Sequence, residues 1–161
     1  MLAVLVMLLW LGLASAWYQR SFWTTANIMA SGFYGASALG RGMSWASFSG
    51  IAVYLTLYSL FGALFAMSMN GTFTRARLVL IGILSGVAWY YLWFGLLWVH
   101  LNPLIALYTH DRPMLWGHLL YGAMLGRFPV YLTRLAGRPP QSEGETVPLV
   151  SEVREIDPFQ R

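Results

Sequence analysis

Cysteine is absent from the chain, so disulfides, thiolate metal sites and thiol redox chemistry are excluded. Lysine is absent too: all ten basic residues are Arg. Acids number six, and five of them (Glu143, Glu145, Glu152, Glu155, Asp157) fall in the last 20 residues of the sequence. Asp111 is the single acid before Glu143, beside Arg20, Arg41, Arg75, Arg77, Arg112, Arg127, Arg134 and Arg138. Charged residues make only 10% of the chain, against about 25% in an ordinary soluble domain. A soluble globular enzyme, a coiled coil and a disordered chain all need more polar surface than this.

What is present is apolar. Hydrophobic residues make 58% of 161 residues, aromatics 16%, and mean hydropathy is +0.57. That composition predicts an all-α integral membrane protein. Dispersed Arg at the ends of apolar runs matches lipid headgroups and not a nucleic-acid surface, which needs a basic patch interleaved with stacking aromatics.

A hydrocarbon core of about 30 Å takes about 20 helical residues. Four runs approach this length, at about 1–18, 44–68, 78–100 and 114–133. The first resembles a secretory signal with Ala14-Ser15-Ala16 as its cleavage site, but it lacks a basic leader and reads as a span. Arg127 and Pro129 interrupt the last. Residues 21–40 carry Phe22, Ala26, Met29, Phe33 and Ala36 at helical spacing, with Thr25, Ser31 and Ser37 off that face. This pattern predicts an interfacial amphipathic helix. Residues 1–136 thus form one helical bundle. Counting Arg in the loops places Arg20, Arg41 and Arg112 outside and Arg75, Arg77, Arg127, Arg134 and Arg138 inside, with both termini cytoplasmic.

From Gly137 the chain changes character. Pro139, Pro140, Pro148 and Pro158 lie here with most of the acids. A tail of this composition cannot build its own core, so residues 137–161 are expected to dock on a partner protein.

The chemistry of small four-span proteins leaves marks, and these marks are missing. A proton-coupled exporter needs a carboxylate within its spans, an intramembrane protease needs paired catalytic groups, and a four-helix haem protein needs paired histidines. No enzyme is expected. Of three histidines, His100 and His110 fall at span ends, where Tyr108-Thr109-His110-Asp111-Arg112-Pro113 offers a local ion pair. His118 lies within the fourth span, with Gly122 and Gly126 one and two turns on. An imidazole above a flat glycine face suits a tetrapyrrole such as chlorophyll or haem. The favoured alternative is a G-x-x-x-G contact, with another helix seated on the glycines and His118 bonded across it.

Small-residue pairs recur in the other spans: Gly12 with Ala16, Gly62 with Ala66, and Gly82 with Gly86. Trp89 and Trp93 continue down the face of the last pair. Trp17, Trp45, Trp98 and Trp116 fall near span ends as an aromatic belt. Trp89, Tyr90, Tyr91, Trp93 and Phe94 run inward, as core packing or as a wall against lipid, carotenoid or a chlorin ring.

These features predict a non-catalytic accessory subunit of a larger membrane complex. The expected host is an electron-transfer complex, photosynthetic before respiratory, with other membrane subunits and lipids as partners and no nucleic acid. The runner-up is a small oligomeric carrier or channel lined by Thr56, Ser59 and Ser85. Arg without Lys, with abundant Gly, Ala and Trp, suits GC-rich coding and hence a bacterial inner membrane.

Overall fold

The computed structural model describes residues 1–69 and 74–129. Of these residues 84% are helical and none is in a strand. The expected tail at 137–161, its docking on a partner, and the end of the fourth run at 130–133 lie outside the described residues.

Helix α1 spans Leu2–Trp17, carries no charge and ends in a turn where Gln19 takes a positive φ of 55°. Helix α2 spans Thr24–Tyr34 and stops because Gly35 adopts φ 58°, a conformation open to glycine. A 3₁₀ turn at Gly35–Ala38 leads into the loop before α3, Trp45–Ser68. At the start of α3 the Ser44 N–H donates to Ser47 Oγ at 3.0 Å, and the Ser47 N–H returns to the Ser44 carbonyl at 2.9 Å. Helix α4 runs Arg75–Leu101, with a π-helical segment at Tyr91–Leu97. Asn102 then caps α5, Pro103–Tyr108, accepting the Leu104 N–H at 3.2 Å. Helix α6 covers Asp111–Leu125, with Pro113 in its first turn, where a missing N–H leaves no bond unmade.

Two of these helices, Trp45–Ser68 and Arg75–Leu101, are long and apolar enough to cross a membrane. Helices α1 and α6, at 16 and 15 residues, reach about 24 and 22 Å. That is shorter than the expected runs at 1–18 and 114–133.

Contacts fix the helix directions. Tyr18 at the end of α1 meets His110 before α6, their rings 5.5 Å apart. Asn27 of α2 bonds Ser47 in the first turn of α3, and Asn102 after α4 approaches Ser31 of α2. At the opposite end Phe65 of α3 faces Phe128, and Gly126 faces Leu78 of α4. Helices α1, α3, α4 and α6 therefore alternate in direction, an up-down-up-down bundle with α2 and α5 at one end. The described Arg residues divide accordingly. Arg20, Arg41 and Arg112 sit at the α2/α5 end, and Arg75, Arg77 and Arg127 at the other.

The segment 21–40 departs from its expectation. Instead of one apolar face, α2 buries Ala26 through Ser31 in succession, while Phe33 is 71% exposed. Helix α2 is an internal packing element, close enough to α3 that a Cβ at Gly50 would collide with the Ala26 carbonyl. Its polar residues tolerate burial because they are satisfied locally. Asn27 Nδ2 donates to the carbonyls of Arg41 and Gly42 at 2.8 and 3.1 Å. Its Oδ1 accepts from Ser47 Oγ at 2.7 Å. Ser31 Oγ donates to its own helix at Ile28, 2.6 Å away.

Candidate functional site

Glycine spacing builds the centre of the bundle. Gly82 and Gly86 are four apart on α4, and Gly122 of α6 is four before Gly126, the residue that caps that helix, so each pair lies on one face. The two faces meet in antiparallel register: Leu78 with Gly126, Gly82 with Gly122, and Gly86 with His118. At Gly82 an added Cβ would strike the Gly122 carbonyl. At Gly86 it would strike the His118 carbonyl, and at Gly126 that of Leu78. The obstacles are backbone atoms, so no side-chain rotation relieves them.

This seam occupies the space that a tetrapyrrole over Gly122 and Gly126 would need. The ring arrangement therefore gives way at these residues to helix packing, because α4 lies where the macrocycle would sit.

His118 is fully buried. Its Nδ1 lies 2.8 Å from the Met114 carbonyl, which can only accept, so Nδ1 carries the proton. Nε2 is then an acceptor, and the Tyr58 hydroxyl donates to it at 2.6 Å. Both ring nitrogens are used within the chain, and neither lone pair is open to a metal. The rings of Tyr58, Tyr90 and Phe94 enclose the imidazole at centroid distances of 5.5, 5.2 and 5.8 Å. Phe94 belongs to the π-helical segment of α4, a wider turn often found where a helix meets a special environment.

A second bond ties the same helices. The Tyr121 hydroxyl of α6 donates to the Tyr58 backbone carbonyl of α3 at 2.6 Å. Gly62 lies beside it: a Cβ there would meet the Tyr121 oxygen at 3.4 Å, an ordinary contact. Ala66, one turn further on, is half-buried.

Trp89 turns toward α3. Trp89 stacks on Phe61 at 4.2 Å and meets Trp93 edge-on at 5.5 Å. The line of Gly82 and Gly86 is continued toward α6 by Tyr90, whose hydroxyl donates to Asp111 Oδ1 at 3.4 Å. The indole N–H groups of Trp89 and Trp93 are buried without an acceptor among the described residues. Rings thus fill the space between α3 and the α4–α6 pair, whereas bare backbone fills the seam itself.

The remaining candidates separate. His100 Nδ1 pairs with the Leu96 carbonyl of its own helix at 2.8 Å, and His110 packs on Tyr18. Asp111 is engaged by Tyr90, not by a neighbouring cation in the 108–113 segment. Thr56 is exposed and donates to Ala52 in its own helix at 2.9 Å. Gly12 packs under the Phe22 ring, within the chain, and Ala16 is exposed.

Two residues central to the core escaped the sequence reading. Tyr58, the partner of His118, was one apolar residue among many in its span. Asn27 carried a readable signal, a lone amide in the run Ala26-Asn27-Ile28-Met29-Ala30. Among the described residues no three His, Asp or Glu side chains gather as a metal site. No protein-family model, no curated protein and no solved structure matches this chain.

Proposed function

We propose that this chain is a non-catalytic accessory subunit of a larger membrane complex, with four helices crossing a bacterial inner membrane and both termini on the cytoplasmic side. The observation that carries the reading is the closed interior. At the centre of the bundle the backbone faces of α4 and α6 touch, and both nitrogens of its only buried imidazole are spent on internal bonds. A bundle with a sealed core works through its outer surface. That surface offers exposed Leu60, Leu64 and Met67 on α3 and Leu80, Leu84 and Leu92 on α4.

The four-crossing arrangement rests on the seam. Helix α6 is short, but it is registered residue by residue against α4, which has full spanning length. Two helices so joined share one depth. Helix α1 packs along α6 through Met7 and Leu11 at Gly117, which carries it to the same depth.

Within electron-transfer hosts, the preference for a photosynthetic one rests in the sequence on His118 and the aromatic third span. With His118 bonded inside the bundle that pointer is gone, and the proposal extends to a membrane complex without naming its chemistry. The acidic, Pro-rich tail at 137–161 is the segment assigned to the partner, on composition. The carrier or channel reading needs a polar path at mid-depth: Thr56 faces outward on the bundle, while Ser59 and Ser85 are half-buried and the Ser59 hydroxyl is without a partner among the described residues.

The test is purification in mild detergent with mass spectrometry of the accompanying subunits. The proposal expects another membrane protein at a fixed ratio in every preparation, and protection of the tail from protease within that complex. A chain that purifies alone, with its tail cut equally in membranes and in detergent, contradicts it.

A further inference from the structure

Along the outer side of α1, residues Trp10, Leu13, Ala14 and Trp17 follow one helical stripe, spaced by three, four and seven. Arg112, Pro113 and Trp116 of α6 face it. Between them lies a groove of about 490 Å³, within the range of about 300–1,000 Å³ typical of small-ligand sites. One wall is fixed, because Trp10 Nε1 donates to the Pro113 carbonyl at 2.9 Å. The remaining apolar lining is uncovered: Leu13 is 56%, Trp17 86% and Trp116 59% exposed.

Charge gives the groove a direction. Arg112 stands at its rim, while the adjacent carboxylate, Asp111, is engaged from the α4 side by Tyr90. A neighbouring cavity of about 340 Å³ at the same end is lined by Arg20 and Arg41. Among the described residues this end of the bundle thus presents three guanidinium groups and one carboxylate. An aromatic trough with one cation in its lining, Arg112, and two more in the neighbouring cavity fits an amphiphile with an anionic head. A soluble anion would leave the indoles unused. An apolar partner helix would leave Arg112 without a counter-charge.

From this geometry we infer that the groove between α1 and α6 holds one anionic phospholipid, its headgroup phosphate on Arg112 and an acyl chain along Trp10, Leu13 and Trp116. A cation near the headgroups of anionic lipid is attracted by about 1 kcal/mol, and Trp rings sit at headgroup depth. The inference rests on the membrane location proposed above but not on a partner subunit, so the two fail separately.

The test uses the full chain, purified in mild detergent, washed free of native lipid and exposed to an equimolar mixture of phosphatidylglycerol and phosphatidylcholine. Native mass spectrometry counts the adducts. The wild-type chain is expected to retain one phosphatidylglycerol in preference to phosphatidylcholine. Arg112→Gln should lower that preference by about fivefold, the worth of one surface cation near anionic lipid, and Arg112→Lys should keep it. Arg77→Gln, an exposed cation at the opposite end, should leave the ratio unchanged. Trp116→Ala should weaken retention of both lipids. Equal retention of both lipids by the wild type overturns the inference. So does an unchanged ratio in Arg112→Gln, or a loss in Arg77→Gln as large as that in Arg112→Gln.

Discussion

The Tyr58 hydroxyl lies 2.6 Å from Nε2 of His118 and joins α3 to α6 where the two backbones stand apart. With the Met114 carbonyl holding the proton on Nδ1, the bond closes the only free acceptor of a fully buried imidazole. Tyr58→Phe removes one oxygen and leaves that acceptor unmet. The expected cost is about 1–3 kcal/mol of unfolding free energy, read by denaturant titration in detergent micelles. In a double-mutant cycle with His118→Phe, the two losses should be less than additive. Strict additivity would mean that the two groups do not interact.

His118 also separates packing from pigment binding by a spectral criterion. Because both nitrogens are bonded within the chain, His118→Leu should weaken the bundle and leave the visible absorbance of the purified protein unchanged. Loss of a visible band in that variant would return the imidazole to the role of an axial ligand.

The seam makes a sharper demand. Gly122→Leu or Gly82→Leu places a branched side chain against backbone that cannot rotate away. Overpacking costs about 1–3 kcal/mol in ordinary cores, and rigid backbone puts these variants at or beyond the upper limit. Leu80→Phe, at a position 57% exposed, should change the midpoint of unfolding little. Comparable stability in all three proteins would leave the close approach of α4 and α6 without support.

Asn27 holds the loop before α3 through the carbonyls of Arg41 and Gly42 and the hydroxyl of Ser47. Asn27→Ala frees this loop and removes the donor to the Arg41 carbonyl, while Gly42 keeps a longer bond from Ser47 Oγ. Trypsin should then cut after Arg41 faster than in the wild type, with the remaining sites cleaved at unchanged rates. Thr56→Ala, which removes a bond within one exposed helical turn, is the control. Equal rates at Arg41 in Asn27→Ala and wild type would contradict the tether.

The helices of the bundle were legible because long apolar runs with polar ends leave little choice of structure. The second and third runs, expected at 44–68 and 78–100, match Trp45–Ser68 and Arg75–Leu101 within a few residues. Segment 21–40 was misread for a physical reason. Periodicity finds one apolar face, but Asn27 and Ser31 are buried by bonds to loop carbonyls and to their own helix, which no hydropathy pattern records. The glycine pairs could be seen in the sequence, whereas their register could not, since it depends on which helix approaches. Tyr58 was invisible for the same reason: His118 finds it 60 positions away.

Arg labelling by replacement tests the central claim most directly, because the chain has no native Cys to interfere. The variants Arg41→Cys, Arg112→Cys, Arg77→Cys and Arg127→Cys place single thiols at the two ends of the bundle. A membrane-impermeant maleimide applied to intact cells should label the thiols at 41 and 112, and reach those at 77 and 127 only after the membrane is opened. Labelling of all four from the same side would contradict a bundle whose ends lie on opposite faces of a membrane.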